Sequence, residues 1–383
     1  MASHPGRADD RLPTIYLHIG TPKSGTTYLQ SRFAENHERA AAQGLLWPGP
    51  SWGRHVAAAR ELRKLAPGEK PARRGPWSRL AEDALAWDGR AVLISMEWLS
   101  SLQPHQVEAA LESLEPARVE VICTARDLLR SFVAQGQEMA KNYRTWPWSQ
   151  LADEVLEDTG GPAHQTFWRQ QDLPQILGTW LKFVPGDRVH LVTVPPAGAD
   201  PEVLWHRFCE VLGVDGSGFS VPKSDNASLG VVSTTLMQRL NTVASARGLD
   251  HPVYKRAVHK AIGVDILGPR RRQEEPIGVS EELDHFLRER SDRMVAELQG
   301  LGVELHGDWA DLVPGPPAKG RRPETVTDSE LLEVAMEALV TLAVRHTDEV
   351  ERARPEKRVG VAEQRRRAVR AARRVIARAR RHR

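Results

Sequence analysis

Cysteine is scarce in this chain: 383 residues contain two, Cys123 and Cys209. Two cysteines make neither a disulfide framework nor a CxxC metal site. Both sit inside apolar runs, "VEVICTAR" and "LWHRFCEVLG", as buried thiols in a reducing compartment do. No stretch approaches the roughly 18 uncharged apolar residues that a membrane span needs. The N-terminal "MASHPGRADDRLP" lacks the apolar segment of a secretory signal. A cytoplasmic location is therefore expected. There is no internal repeat. The body also lacks an excess of positive charge, although the formal net charge is +3. Residues 356–383 hold twelve Lys/Arg against two Glu, a local net of +10, which leaves about −7 for the rest. The basic pI belongs to this tail, and no specific nucleic-acid binding is expected of the body. At 40% hydrophobic and 27% charged, the composition is that of an ordinary globular protein.

What is present is an alternation of short apolar runs and amphipathic stretches. Thr14 to Ile19 reads as a strand, with a helix from about Thr26. Helices are expected near His55 to Leu65 and near Trp77 to Trp87, then a buried strand at "RAVLIS". A helix at Pro104 to Leu114 precedes the strand "RVEVICTA", and a helix carrying Leu128, Phe132 and Met139 follows it. "LPQILGTWLKFV", "RVHLVTV" and "PEVLWHRFCEVLGV" read as helix, fourth strand and helix. Such alternation predicts an α/β fold, a parallel sheet flanked by helices. From about residue 224 the pattern is helical, with Val231 to Ala246, His251 to Ala261 and Ser280 to Leu298. The expected organisation is an α/β domain over 1–312, a linker over 313–328, and a helical, Arg-rich C-terminal extension over 329–383.

Ligands of parallel sheets sit at the carboxyl ends of the strands. Three such ends carry chemistry: the loop around Lys23, Glu97 and Arg126. The first lies in "IYLHIGTPKSGTTYLQ". Gly20 and Gly25 have the spacing of a Walker loop, but Thr26 stands where the Walker lysine belongs. The lysine is Lys23. A strand, a glycine turn and a helix N-terminus make an anion cradle. A metal–triphosphate site also needs an aspartate at the end of a neighbouring strand. "AVLIS" runs into Ser-Met-Glu and "VICTA" into Arg, so no such aspartate is evident. The loop suits a smaller anion held without metal.

"TPKSGTTYLQ" closely resembles the 5′-phosphosulfate loop of sulfotransferases that use 3′-phosphoadenylyl sulfate (PAPS). Their pattern is a strand, T-x-K-[ST]-G-T-[ST]-[WFY]-L and a helix, and eight or nine positions match. The arrangement over about 12–312 looks like the bacterial branch of that family. The resemblance implies a P-loop kinase-like α/β fold, and PAPS as co-substrate with no metal required. It implies that Lys23, Ser24, Gly25, Thr26 and Thr27 hold the 5′-phosphosulfate. Arg126 would hold the cofactor's 3′-phosphate. The family places a serine eight residues after that arginine, but position 134 is alanine; Ser131 is the substitute expected. The family's later R-K-G-x-x-G segment is absent, and Asn226, Ser228 and Gly230 occupy a comparable place.

Sulfuryl transfer needs a base for the acceptor's proton and a cation at the leaving oxygen. Lys23 suits the second role. Glu97 and His55 compete for the first: some branches of the family use a glutamate, the cytosolic branch a histidine. The expected activity is transfer of a sulfuryl group to a hydroxyl or amine on a small molecule, carbohydrate or lipid. The alternatives are an ATP/Mg²⁺ small-molecule kinase and a sulfotransferase-like protein that only binds nucleotide or membrane. Gln137, Glu138, Lys141 and Asn142 share a helix face and are candidate lining of the acceptor pocket. Trp146 and Trp148 flank a proline, either as a lid or as packing. The Arg-rich tail is a solvated segment, a membrane-surface contact or a site for another acidic partner.

Overall fold

The computed structural model describes residues 12–49, 51–157, 160–222, 228–316 and 320–352. Six strands form one sheet: β1 (Thr14–Gly20), β2 (Leu45–Leu46), β3 (Ala91–Ser95), β4 (Val119–Ala125), β5 (Val189–Thr193) and β6 (Glu304–His306). Their order is β2-β3-β1-β4-β5-β6, and every pairing is parallel. The four strands expected from apolar runs are β1, β3, β4 and β5. All five residues of both β3 and β5 are buried, which is why they read as continuous apolar stretches. The edge strands β2 and β6 escape sequence reading because two or three residues carry no periodicity.

Eleven helices run in chain order as far as residue 246. They are α1 (Thr26–Glu35), α2 (His37–Ala42), α3 (Trp52–Leu62), α4 (Pro76–Leu85), α5 (Pro104–Glu112), α6 (Leu128–Lys141), α7 (Trp148–Glu157), α8 (Pro162–Gln171), α9 (Leu173–Trp180), α10 (Pro201–Leu212) and α11 (Val231–Ala246). Alternate residues of each strand enter opposite layers. Ile15, Leu17, Ile19, Val121 and Cys123 join a core containing Trp77, Phe132, Phe167 and Trp180. Ile122 and Leu93 join the other layer, around Phe33, Trp47, Trp205 and Phe208. Both cysteines are buried and unpaired, and burial pushes both thiols up to about 12.

Of the two readings of Trp148, packing is the one seen: it begins α7, is buried and meets Phe132 edge-to-face at 5.4 Å. Gly136 makes room for it, since a Cβ there would lie 2.3 Å from the Trp148 ring. The helix expected at His251 to Ala261 is α-helical only over His251–Tyr254 and continues as a π-helix over Lys255–Leu267. Within 313–328, Ile277 and Arg321 form a β-bridge, and Arg321 pairs with Glu330 at 2.5 Å. The C-terminal helix Asp328–Arg352 then packs Leu331 and Val334 into a cluster with Met237 and Tyr254. The basic tail from residue 353 and Asn226 lie outside the described residues.

β1 is central. The chain visits β2 and β3 on one side of it, then crosses to β4 on the other. That reversal opens a crevice at the carboxyl ends of β1, β3 and β4.

Candidate functional site

The loop after β1 is shaped by three residues in the left-handed region: Gly20 (φ 95°), Lys23 (φ 69°) and Gly25 (φ 81°). A non-glycine residue rarely adopts such a conformation, and its presence marks an over-determined turn. Gly20 is required twice over. A Cβ there would lie 2.7 Å from the Glu97 Cβ and 2.9 Å from its Cα. The glycine thus brings the ends of β1 and β3 together and sets Glu97 beside the loop. Gly25 is the N-cap of α1 and offers no side-chain cap, so the first amides of the helix face outward.

Beneath the loop is a buried polar network. Ser24 donates its hydroxyl to the Thr21 carbonyl at 2.5 Å and lies 2.6 Å from the Thr124 hydroxyl. His18 bridges the Ser95 and Thr124 hydroxyls at 2.7 and 3.1 Å. Burial drops the His18 imidazole to about 3, so it is neutral. The Gln171 amide donates to the Pro22 carbonyl at 3.0 Å. These bonds hold the loop rigid from below.

Above it lies a cavity of about 940 Å³, walled by Lys23, Gly25, Thr26, Thr27, Glu97 and Arg126 among others. Three strand ends that the sequence singles out separately thus meet in one space. Gln137, Glu138 and Lys141 of α6 also line it, as their helical spacing anticipates. Ala134, at the position where the family carries serine, faces it too.

Three expected residues sit elsewhere. The Ser24 hydroxyl is engaged below the loop, so this side chain is part of the support. Ser131 is buried in α6 with its hydroxyl unpartnered among the described residues, and it belongs to neither cavity wall. His55 is buried and stacks on Trp47 at 4.5 Å. Its Nδ1 accepts from the Ser95 N–H at 3.2 Å and its Nε2 donates to the Pro48 carbonyl at 3.0 Å. Burial lowers its imidazole to about 4. Both ring nitrogens are used by the backbone, and the residue is not in the cavity wall. It joins α3 to β3.

Among the described residues, Glu97 and Glu138 are the two carboxylates of the wall. The Gln30 amide donates to Glu97 at 3.2 Å, and Glu97 has no cationic partner among the described residues. Glu138 lies 2.8 Å from the Lys23 ammonium and 3.3 Å from that of Lys141, and it accepts from Asn142. Burial works to raise this carboxyl, but the two lysines and the hydrogen bonds from Lys23 and Asn142 outweigh it and hold it at about 2. Sequence reading places Glu138 on the right face yet misses its bond to Lys23, 115 residues away. Ser31 was also missed in the wall, although its position four residues after Thr27 on α1 was a usable signal.

Arg126 is the other anchor. Asp127, the obvious counter-ion, caps α6 and pairs with Arg130 instead. Among the described residues Arg126 has no carboxylate within ion-pair distance. One Nη donates to the Arg130 carbonyl at 2.8 Å, and Nε is buried without a hydrogen-bond partner. Burial and the neighbouring Arg130 lower its guanidinium to about 10, against the pull of Asp127. Arg126 also lines a second cavity, of about 910 Å³, bounded by Arg130, Ser228, Gly230 and Arg271 among others. The two cavities share Arg126, Ala134, Gln137 and Ser228. Arg126 thus stands at the junction of the two cavities, with no carboxylate partner among the described residues.

No protein-family model matches the chain. No curated protein matches it either. Solved structures do. A sulfotransferase from Alicyclobacillus acidocaldarius is 15% identical, with a TM-score of 0.37 over 65% of this chain and 100% of that one. The sulfotransferase domain from the curacin biosynthetic pathway is 12% identical, with a TM-score of 0.32 over 86% and 98%. The sulfotransferase domain of the Synechococcus PCC 7002 olefin synthase is 15% identical, with a TM-score of 0.28 over 56% and 78%. At these TM-scores the likeness carries no argument about the site.

Proposed function

We propose that the protein is a sulfotransferase that uses PAPS and acts on a hydroxyl or amine of a small-molecule, carbohydrate or lipid acceptor. The observation that carries this reading is that Arg126, which has no carboxylate partner among the described residues, lines the same cavity as the Lys23 loop. A ligand with an anion at each end satisfies both. The 5′-phosphosulfate belongs to Lys23, Thr26, Thr27 and the N-terminus of α1, where the helix dipole favours negative charge. The 3′-phosphate belongs to Arg126. When bound, PAPS supplies a sulfuryl group whose bond to the phosphate oxygen breaks as the acceptor atom bonds to sulfur.

The chain's own residues divide the remaining work. Lys23 faces the oxygen on which negative charge develops. Glu138, held low between two lysines, is a poor base and a good holder of Lys23. Glu97, which among the described residues carries only the neutral Gln30 amide, takes the acceptor's proton. Calorimetry with adenosine 3′,5′-bisphosphate and with ATP, each with and without Mg²⁺, tests the reading. Metal-independent binding of the bisphosphate is expected. Binding of ATP with Mg²⁺ alone would replace this reading with a kinase. Bisphosphate binding without turnover across an acceptor panel would reduce it to a nucleotide-binding protein.

A further inference from the structure

One polar cluster lies far from the crevice and takes no part in the chemistry above. It crosses one face of the sheet near the amino ends of β4, β5 and β6. His190 pairs in register with Glu304, and Val192 with His306. Parallel register and a period of two place His190, Glu304 and His306 on the same face. Glu120 joins them from β4, since Ile122 is the register partner of His190. Glu120 is five residues before the carboxyl end of β4, about 16 Å along the strand from the Arg126 crevice.

The donor atoms of this cluster converge. His190 Nδ1 lies 3.1 Å from His306 Nε2 and 3.1 Å from a Glu304 carboxylate oxygen. His306 Nε2 lies 3.9 Å from the other Glu304 oxygen. On the far side of the ring, His190 Nε2 lies 3.0 Å from the Glu120 carboxylate. A carboxylate only accepts, so Nε2 carries a ring proton, and Nδ1 faces Glu304 and His306. Nδ1, a carboxylate oxygen and a second imidazole nitrogen lie within 4.8 Å of one another, a spacing that a shared proton or one metal cation can bridge.

The geometry points to a binding site for one divalent cation of the zinc type, ligated by His190 Nδ1, Glu304 and His306 Nε2. We infer this site from the donor set and from its support. Bond lengths of about 2.0–2.1 Å in a tetrahedron put neighbouring ligand atoms about 3.3 Å apart; His190 Nδ1 is 3.1 Å from both His306 Nε2 and one Glu304 oxygen, and a turn of that carboxylate would bring the same oxygen toward His306. Two imidazoles and one carboxylate are ligands that zinc accepts and that magnesium, which prefers oxygen, does not favour. Glu120 supplies the carboxylate behind a ligating histidine that fixes its tautomer and orientation, and Arg118 holds Glu120 in turn at 2.7 Å. Glu304 is exposed, so the fourth position opens to water. The cation joins the three-residue edge strand β6 to β5. It serves the sheet and is separate from sulfuryl transfer.

The test uses the full chain, stripped with chelator and then titrated with Co²⁺ by visible absorption and with Zn²⁺ by calorimetry. One tight equivalent is expected, with the intense visible bands of a tetrahedral cobalt site. His306→Ala and Glu304→Gln should lower affinity at least tenfold and remove those bands. Zn²⁺ should raise the unfolding temperature of the wild type and leave that of His306→Ala unmoved. His285→Ala, which alters an exposed helix pair with Glu289, should bind as the wild type does. Absence of a tight equivalent, or equal binding by wild type, His306→Ala and Glu304→Gln, overturns the assignment.

Discussion

Replacing Arg126 by methionine should make the ligand-free protein more stable and its anion binding worse. The folded state lowers this guanidinium from its ordinary value to about 10, which corresponds to about 3 kcal/mol of disfavoured charge at neutral pH. Water in the two open cavities screens part of this, leaving on the order of 1–2 kcal/mol. The sign follows from a pKa that falls on folding: the penalty is full at neutral pH and fades only as pH rises through about 10. Methionine fills similar space without the charge, so Arg126→Met should unfold at higher denaturant concentration, with about 1–2 kcal/mol gained. The same change removes charge-assisted hydrogen bonds worth about 1.5–3 kcal/mol, a loss of roughly 10- to 150-fold in bisphosphate affinity by calorimetry. Arg126→Lys should fall between the two, because an ammonium lacks the two-pronged donor geometry. A variant Arg126→Met that is less stable without ligand, and that binds the bisphosphate like the wild type, would refute the idea that this cation awaits an anion.

Three further outcomes follow from the same geometry. Glu97→Gln should keep bisphosphate affinity within twofold and lower turnover at least about a hundredfold; near-normal turnover would remove Glu97 as the base. Gly20→Ala should cost about 2–4 kcal/mol in denaturant unfolding, since the left-handed backbone and the Glu97 backbone both oppose a Cβ; a cost under about 1 kcal/mol would contradict the packing described. His55 is buried and lowered from 6.5 to about 4, so folding releases its proton. Its contribution is intact above about 6.5 and is lost as pH falls toward 4, by about 3 kcal/mol at most. Unfolding free energies measured across that window should fall with acid in the wild type and fall less in His55→Gln; identical slopes would mean that the ring is not held neutral.

Much of this was readable along the chain. The helix Val231–Ala246 runs between the residues its periodicity indicates. The loop from Gly20 to Thr27 announces its strand, turn and helix through two glycines at fixed spacing and a following apolar face. Lys23, Glu97 and Arg126 each end a strand or follow one, and parallel strands send such ends to one side of a sheet. Other features left no local trace. β6 is three residues long, so neither its pairing with β5 nor the meeting of His306 with His190 has a sequence signature. His55 reads as a general base because imidazole is versatile, and nothing in "SWGRHVAA" tells that both of its nitrogens serve the backbone.

The four longer strands and most of the helices were set locally, because steric preference and apolar periodicity act over a few neighbouring residues. So was the strand–turn–helix after β1, because glycine relieves a left-handed turn at Gly20 and Gly25. The tertiary structure decided what those residues face. It paired Asp127 with Arg130 and left Arg126 without a carboxylate partner among the described residues. It brought Glu138 onto Lys23 and turned Ser24 under the loop. Charge pairing and burial depend on which distant surfaces the sheet order brings within a few ångströms, and no local pattern encodes that distance.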